Sequence, residues 1–451
     1  LSYGYKERYY IEGSFGYNGS ERFAKKHRMG FFPSVGGAWV ASKEPFMMGA
    51  ANWLSFLKLR LSYGKVGNDG IINNPRFVHL PSISQGNDVV SFRPGENTIK
   101  PYVISGYPNE DITWEIAEQV NFGLEATFFN GLFETTVDIY QQIRHNVLDK
   151  RTVVPEAMGL GIQPLDNIGK VKSQGLDFSG KIQHAFSPDL WVILNGTLTY
   201  NKAVFEEIEE AADKPYYQWR KGHDISQAVG YIAEGLFRDE QEIANSPVQG
   251  GDLMPGDIRY RDVNDDGVVD VEDAVHIGFP TTPRLIYGFN GFVNYKGLEF
   301  SFAFQGSGQR GFFINPAAMS PFANNHALLT AIYKDHWSTD NMSERPLWPR
   351  LSTKNIIEHN PQEDASSDKE TRMSTYFLRE CRFLRCTSLE LAYNLPKQWS
   401  RKLALKNLKV FVRANNPFII SNFDLWDVEL GNNGFNYPIQ KTYSVGLNVN
   451  F

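Results

Sequence analysis

The chain has 451 residues, with 45 Lys and Arg against 51 Asp and Glu; this mildly acidic balance argues against a nucleic-acid partner. Mean hydropathy is −0.36, and no run approaches the ~18 apolar residues of a membrane-spanning helix. A β-barrel escapes that test because its strands are apolar on one face only, and 14 % aromatic residues suit its interfacial girdles, although soluble β-rich lectins reach the same share.

Alternation with period two recurs along the chain, as in strands whose successive side chains point to opposite faces. The first segment, 3–18, sets Tyr9, Ile11, Phe15 and Tyr17 on one face. Next come 29–42, with Trp39, and 56–66, where Leu57, Leu59, Leu61 and Tyr63 oppose Lys58, Arg60 and Ser62. Segments 112–129, 131–145, 172–184 and 189–203 follow, then 284–294, 296–306, 383–395, 407–416 and 441–451. The pattern predicts about twelve strands. In the last, Tyr443, Val445, Leu447, Val449 and Phe451 alternate with Ser444, Gly446, Asn448 and Asn450. Its length matches the roughly 9–11 residues a tilted strand needs to cross a bilayer.

The connections alternate too. Counting back from the C-terminus, 396–406, the turn after Tyr295, Phe186-Ser187-Pro188 and a two-residue hairpin at Asn130-Gly131 are short. Between them lie long gaps at 67–111, 146–171, 204–283, 307–382 and 417–440. Short turns at one end and long loops at the other are the habit of an outer-membrane barrel, with turns periplasmic and loops extracellular. One helical pattern, Asn325–Trp337, falls inside the 307–382 loop and reads as local packing through Ala327, Leu328, Ala331 and Ile332. Cys381 and Cys386 read as two free thiols on opposite faces of a strand. The opening Leu1-Ser2-Tyr3-Gly4-Tyr5 reads as the interior or C-terminal part of a longer product.

The sharpest chemical motif lies in the 204–283 loop. Asp262, Asn264 and Asp266 stand at positions 1, 3 and 5 of a calcium loop, with Gly267 at the sharp turn, the Val268 carbonyl at 7, Asp270 at 9 and Asp273 at 12. Calcium takes six to eight hard oxygens, which this spacing winds around one point. The plainer reading is a self-capping turn. Nothing here reads as an enzyme: Gly159–Gly161 and Gly306–Gly308 lack a strand-to-helix context, and His223 and His276 lack a motif partner. The acidic run Glu206–Glu210 reads as a solvated face. Trp219, Trp337, Trp348 and Trp426 lie in long loops, placed either to stack on a ligand or to pack the loop.

Several blocks together resemble the SusC/RagA-like TonB-dependent transporters of Bacteroidetes outer membranes. They begin with Phe31-Phe32-Pro33-Ser34 before Trp39, and Leu57-Lys58-Leu59-Arg60-Leu61-Ser62-Tyr63-Gly64. Thr113-Trp114-Glu115, Asn167-Ile168-Gly169-Lys170, Gly256-Asp257-Ile258 and Asp335-His336-Trp337 follow in order. Phe383-Leu384-Arg385, Asn415-Asn416-Pro417-Phe418 and the terminal strand complete the series. The resemblance implies a transmembrane antiparallel β-barrel of about 22 strands with a plug inside it. It also implies a SusD-like surface lipoprotein as lid and TonB as the energy source, for import of oligosaccharides or peptides. About half those strands and neither plug nor TonB-binding segment are read here. Residues 1–451 are therefore expected to be the C-terminal part of the barrel, partnered by the N-terminal plug and barrel half. A surface glycan- or peptide-binding adhesin is the second reading, and a soluble carbohydrate-binding protein the third.

Overall fold

The structure is a computed structural model that describes residues 1–70, 77–86, 100–154, 158–160, 162–322, 325–354, 373–402, 405–432 and 434–450. Among the described residues thirteen strands form one sheet in chain order. They are β1 (Ser2–Tyr5), β2 (Tyr9–Gly19), β3 (Met29–Val40), β4 (Leu54–Asn68), β5 (Glu115–Phe128), β6 (Phe133–Lys150) and β7 (Leu165–Ser187). The rest are β8 (Leu190–Glu207), β9 (Leu285–Tyr295), β10 (Leu298–Gly308), β11 (Phe383–Asn394), β12 (Asn407–Ser421) and β13 (Thr442–Asn450). β1 and β13 stand at the two ends of that order. Two compact units divide the chain: Leu1–Gly180 with Asn201–Lys214 and Trp219–Ile225, and Lys181–Tyr200 with Pro215–Gln218 and Ser226–Phe451.

In the first unit the alternation read from sequence becomes two faces in register. Trp39, Leu59, Leu124 and Val137 line up across β3 to β6, as do Gly37, Leu61, Phe122 and Ile139. The intervening positions hold Lys58 opposite Glu125, and Arg60 opposite Gly123 opposite Asp138. Above these strands Phe23, Val78, Ile112, Trp114 and Leu148 pack a small core of their own. Asn167 ties it to the wall: its Oδ1 accepts the Thr113 N–H at 2.8 Å and its Nδ2 donates to the Asn146 carbonyl at 2.6 Å.

In the second unit β9 and β10 pair Phe289 with Phe304, Gly291 with Phe302 and Val293 with Phe300 on one face. The long loops of this unit bury a separate apolar core, including Tyr231, Leu236, Ile258, Ile314, Ile332, Trp348, Phe377 and Val428. Asp257 is fully buried, and the Arg350 Nε lies 2.8 Å from its Oδ1. The Arg350 N–H also donates to the Gly256 carbonyl at 3.0 Å. Arg385 at the head of β11 pairs with Asp427 at 2.5 Å and with Glu429, joining that strand to the 422–441 connection.

Several expectations change. The segment 3–18 is two strands, because Lys6 and Glu7 take φ of 49° and 52° and reverse the chain there. At Asn130-Gly131 the connection is longer than two residues: Phe128 pairs with Phe133, and Phe129, Asn130 and Gly131 all have positive φ. The Asn325–Trp337 pattern contracts to an α-helix at Thr330–Lys334, whose Ile332 sits in the loop core as local packing requires. Cys381 precedes β11 instead of lying in it; both thiols are free and buried. Burial raises the Cys381 pKa, with Arg310 opposing. Within the acidic run, Glu209 and Glu210 are latches and not a solvated face. Glu209 accepts Arg151 Nε at 3.0 Å and the Thr152 N–H at 2.7 Å, while Glu210 accepts the Arg220 N–H at 2.6 Å. Phe451 lies outside the described residues.

Candidate functional site

The 262–273 loop folds as a tight coil whose side chains hold its own backbone. Asp262 Oδ2 accepts the Gly267 N–H at 2.7 Å, Asn264 Oδ1 accepts Asp266 N–H at 3.0 Å, and Asp266 Oδ1 accepts Val268 N–H at 2.8 Å. Gly267 takes φ +87°, which an L side chain resists, so the glycine at the sharp turn has its physical reason. Asp270 caps the 3-10 turn Val271–Asp273 by accepting the Glu272 N–H at 2.8 Å. Asp273 is fully buried and accepts the N–H groups of Val263 at 2.6 Å and Asp270 at 2.8 Å. Six of the motif's positions are thus wound into one coil, but their oxygens are largely engaged by backbone donors. Among the described residues no set of three or more His, Cys, Asp or Glu is placed to hold a metal. One oxygen stands apart: Asp262 Oδ1 is buried without a hydrogen-bond partner.

A neighbouring segment docks on this coil. The Tyr217 hydroxyl donates to the Glu272 carbonyl at 2.9 Å, and Gln218 Nε2 donates to the Val271 carbonyl at 2.8 Å. Burial, reinforced by Asp273 and Glu272, pushes the Tyr217 hydroxyl above its usual range. The sequence carried no signal for this docking, since the partners come from separate parts of the loop.

The polar face of each unit carries several matched charges. In the first, Arg60 Nη2 reaches Asp138 at 3.1 Å, its Nε reaches Glu125 at 2.8 Å, and Asn121 donates to Asp138 at 3.0 Å. A Cβ on Gly123 would stand 2.8 Å from Arg60 Nη2, so glycine there is what lets the guanidinium cross one strand to its carboxylate. In the second unit Lys409 Nζ pairs with Glu299 at 2.6 Å, and Arg413 Nε donates to Glu390 at 2.7 Å. These pairs give the sheet a polar face suited to line water, while the opposite face is apolar.

The loop tryptophans sort by burial. Trp348 is buried against Phe377, Trp337 covers Gly256, and Trp426 packs on Phe423. Trp219 is exposed, its Nε1 donating to the Lys214 carbonyl at 3.0 Å. Gly306 and Gly308 lie in β10, where no phosphate-binding turn exists; Gly161 lies outside the described residues.

Residues 2–343 match the family model described as TonB dependent receptor-like, beta-barrel. Over its whole length the chain is 26 % identical to the TonB-dependent receptor SusC of Bacteroides thetaiotaomicron, of which it covers 43 %. It is also 26 % identical to the TonB-dependent receptor P26 of Formosa agariphila, covering 45 % of that protein. Among solved structures it is similar in fold to the RagAB peptide transporter, with a TM-score of 0.73 at 22 % identity, over 99 % of this chain and 46 % of that one. The chain spans less than half the length of these relatives. It belongs to the TonB-dependent receptor-like β-barrel family, which comprises outer-membrane receptors and transporters and not enzymes.

Proposed function

We propose that this chain supplies wall strands and surface loops of a transporter that imports oligosaccharides or peptides, drawing energy through TonB and working with a SusD-like surface lipoprotein. The observation that carries the reading is a sheet with one apolar face and one ion-paired polar face, together with long loops that have a core of their own. An outward apolar band, a polar interior and longer extracellular loops are the arrangement of outer-membrane barrels. The fold shared with a peptide transporter supports peptides as cargo, and oligosaccharides stand as what the resemblance to the SusC-like family implies. The long loops are taken as extracellular, the short turns and the end of β13 as periplasmic. Uptake of labelled oligosaccharides and peptides by cells with and without the full-length gene product is the test. Import that a protonophore abolishes supports the reading. Surface binding without entry favours the second one, a glycan- or peptide-binding barrel.

We also propose calcium as a structural ion of the 262–273 loop. The buried, unpartnered Asp262 Oδ1 supports it, as does the winding of Asn264, Asp266, the Val268 carbonyl and Asp270 around the same coil. Asp273 would have to release backbone donors to join the set. An ion bound only by the folded loop raises its melting temperature by mass action. Calcium should therefore raise the thermal midpoint of the loops in the wild type but not in Asp262→Ala, and an equal response in both would remove the ion from this account.

A further inference from the structure

We propose that the apolar face of the first unit holds one anionic glycerophospholipid, its acyl chain in a groove over Gly37 and its phosphate beside Lys6. The inference rests on the membrane orientation proposed above. Ile11, Gly37, Leu61 and Phe122 form one row across β2 to β5, and the glycine removes a side chain from that row. The result is a groove of about 540 Å³ walled by Ile11, Val35, Trp39, Leu61, Tyr63 and Phe122. That volume falls in the ~300–1,000 Å³ span of small-molecule sites.

The chain does not fill this groove itself. At two other strand glycines of the unit an aromatic ring fills the space: a Cβ on Gly67 would meet Phe32 at 2.0 Å, and one on Gly175 would meet Tyr140 at 2.3 Å. At Gly37 the nearest atom is the Tyr10 carbonyl oxygen, at 3.8 Å. An apolar slot on a lipid-facing wall, left open by its own side chains, fits an acyl chain.

Charge selects the headgroup. At the turn end of the groove Glu44 accepts the Tyr9 hydroxyl at 2.5 Å and Trp39 Nε1 at 3.2 Å, and pairs with Arg8 at 3.2 Å. Lys43 matches Glu7 at 2.5 Å. Lys6 remains: its ammonium lies over the Tyr5 ring at 5.2 Å, with no carboxylate paired to it among the described residues. One positive charge is therefore left where a phosphate would sit. Exposed Phe46 and Met48 on the 3-10 turn Pro45–Ala50 mark the hydrocarbon boundary beside it. Short turns face the periplasm in the proposed orientation, which commits the occupant to a phospholipid of the inner leaflet and not to lipopolysaccharide.

The test is native mass spectrometry of the full-length protein released from nanodiscs of phosphatidylethanolamine and phosphatidylglycerol. The expected result is one phosphatidylglycerol retained per wild-type protein, lost in Gly37→Leu, and replaced by phosphatidylethanolamine or nothing in Lys6→Gln. Heat-modified gel mobility checks that each variant is folded, and Lys6→Gln gives up only the contact of the ammonium with the Tyr5 ring. Equal retention in all three proteins overturns the proposal, as does a groove occupied by lipopolysaccharide or a second protein copy. Loss of import with lipid retained would touch only the transport reading; solubility without detergent would overturn the membrane reading and this proposal together.

Discussion

At the scale of single residues, the loops are held by a few buried polar groups whose partners lie far away in sequence. Asp257 is the clearest, a fully buried carboxylate against Arg350. Removing one member of a buried pair leaves the other charge uncompensated and costs about 3–5 kcal/mol. Asp257→Ala should lower the thermal midpoint of the loops and open them to protease, and an unchanged digestion pattern would contradict this. Glu242 makes a pH prediction. Burial raises its pKa, but the Arg238 N–H and side chain and the Arg259 guanidinium outweigh it, so the net shift is downward. A depressed carboxylate contributes stability above its unfolded value, which is lost as pH falls through the folded one. The stability gap between wild type and Glu242→Gln should therefore be present at neutral pH and close in acid. Asp257 was visible in the sequence as part of the Gly256-Asp257-Ile258 block, yet its reason was not, because Arg350 had no local relation to it. The same holds for Glu209 and Glu210, whose backbone donors come from other segments.

At the scale of elements, period-two alternation was legible because each strand needs different chemistry on its two sides, and that requirement is local. What alternation hides is how neighbours interlock. In β13 the small residue Gly446 reads simply as polar-face filler. In the structure it receives a ring: a Cβ there would stand 2.4 Å from Phe411 Cζ on β12. Aromatic cover of a strand glycine restores contacts that the missing side chain gives up. Gly446→Val should lower the temperature at which the folded protein loses its heat-modified gel mobility, and Phe411→Ala in the same chain should recover part of the loss. Independent, additive losses would mean that the ring and the glycine are not coupled. The hairpin at Lys6-Glu7 was missed for a related reason: its positive φ values fall on residues that carry none of the usual turn chemistry.

At the scale of the whole molecule, the alternation of short and long connections was the feature read most fully in advance. The structure keeps two-residue reversals at Pro188-Asp189 and Lys296-Gly297, and long excursions at 69–114, 208–284 and 309–382. Under the proposed orientation, cysteine placed at Tyr216 or Tyr437 should label with an impermeant maleimide on intact cells. Cysteine at Lys296 or Trp399 should label only after the outer membrane is opened; the reverse pattern would invert the topology. How the loops fold was not legible, because their core draws Tyr231, Ile332, Trp348 and Val428 from four separate stretches with no common period.

That separate core divides the forces in the molecule. Strands whose apolar face meets hydrocarbon gain little from expelling water, because lipid is as apolar as the side chain that leaves it. The loop core has water as its alternative, so its cohesion carries the large positive heat capacity of apolar hydration. Cooling and urea should therefore loosen the head while the wall holds. In a cold habitat, the loops would be the first part to lose their shape.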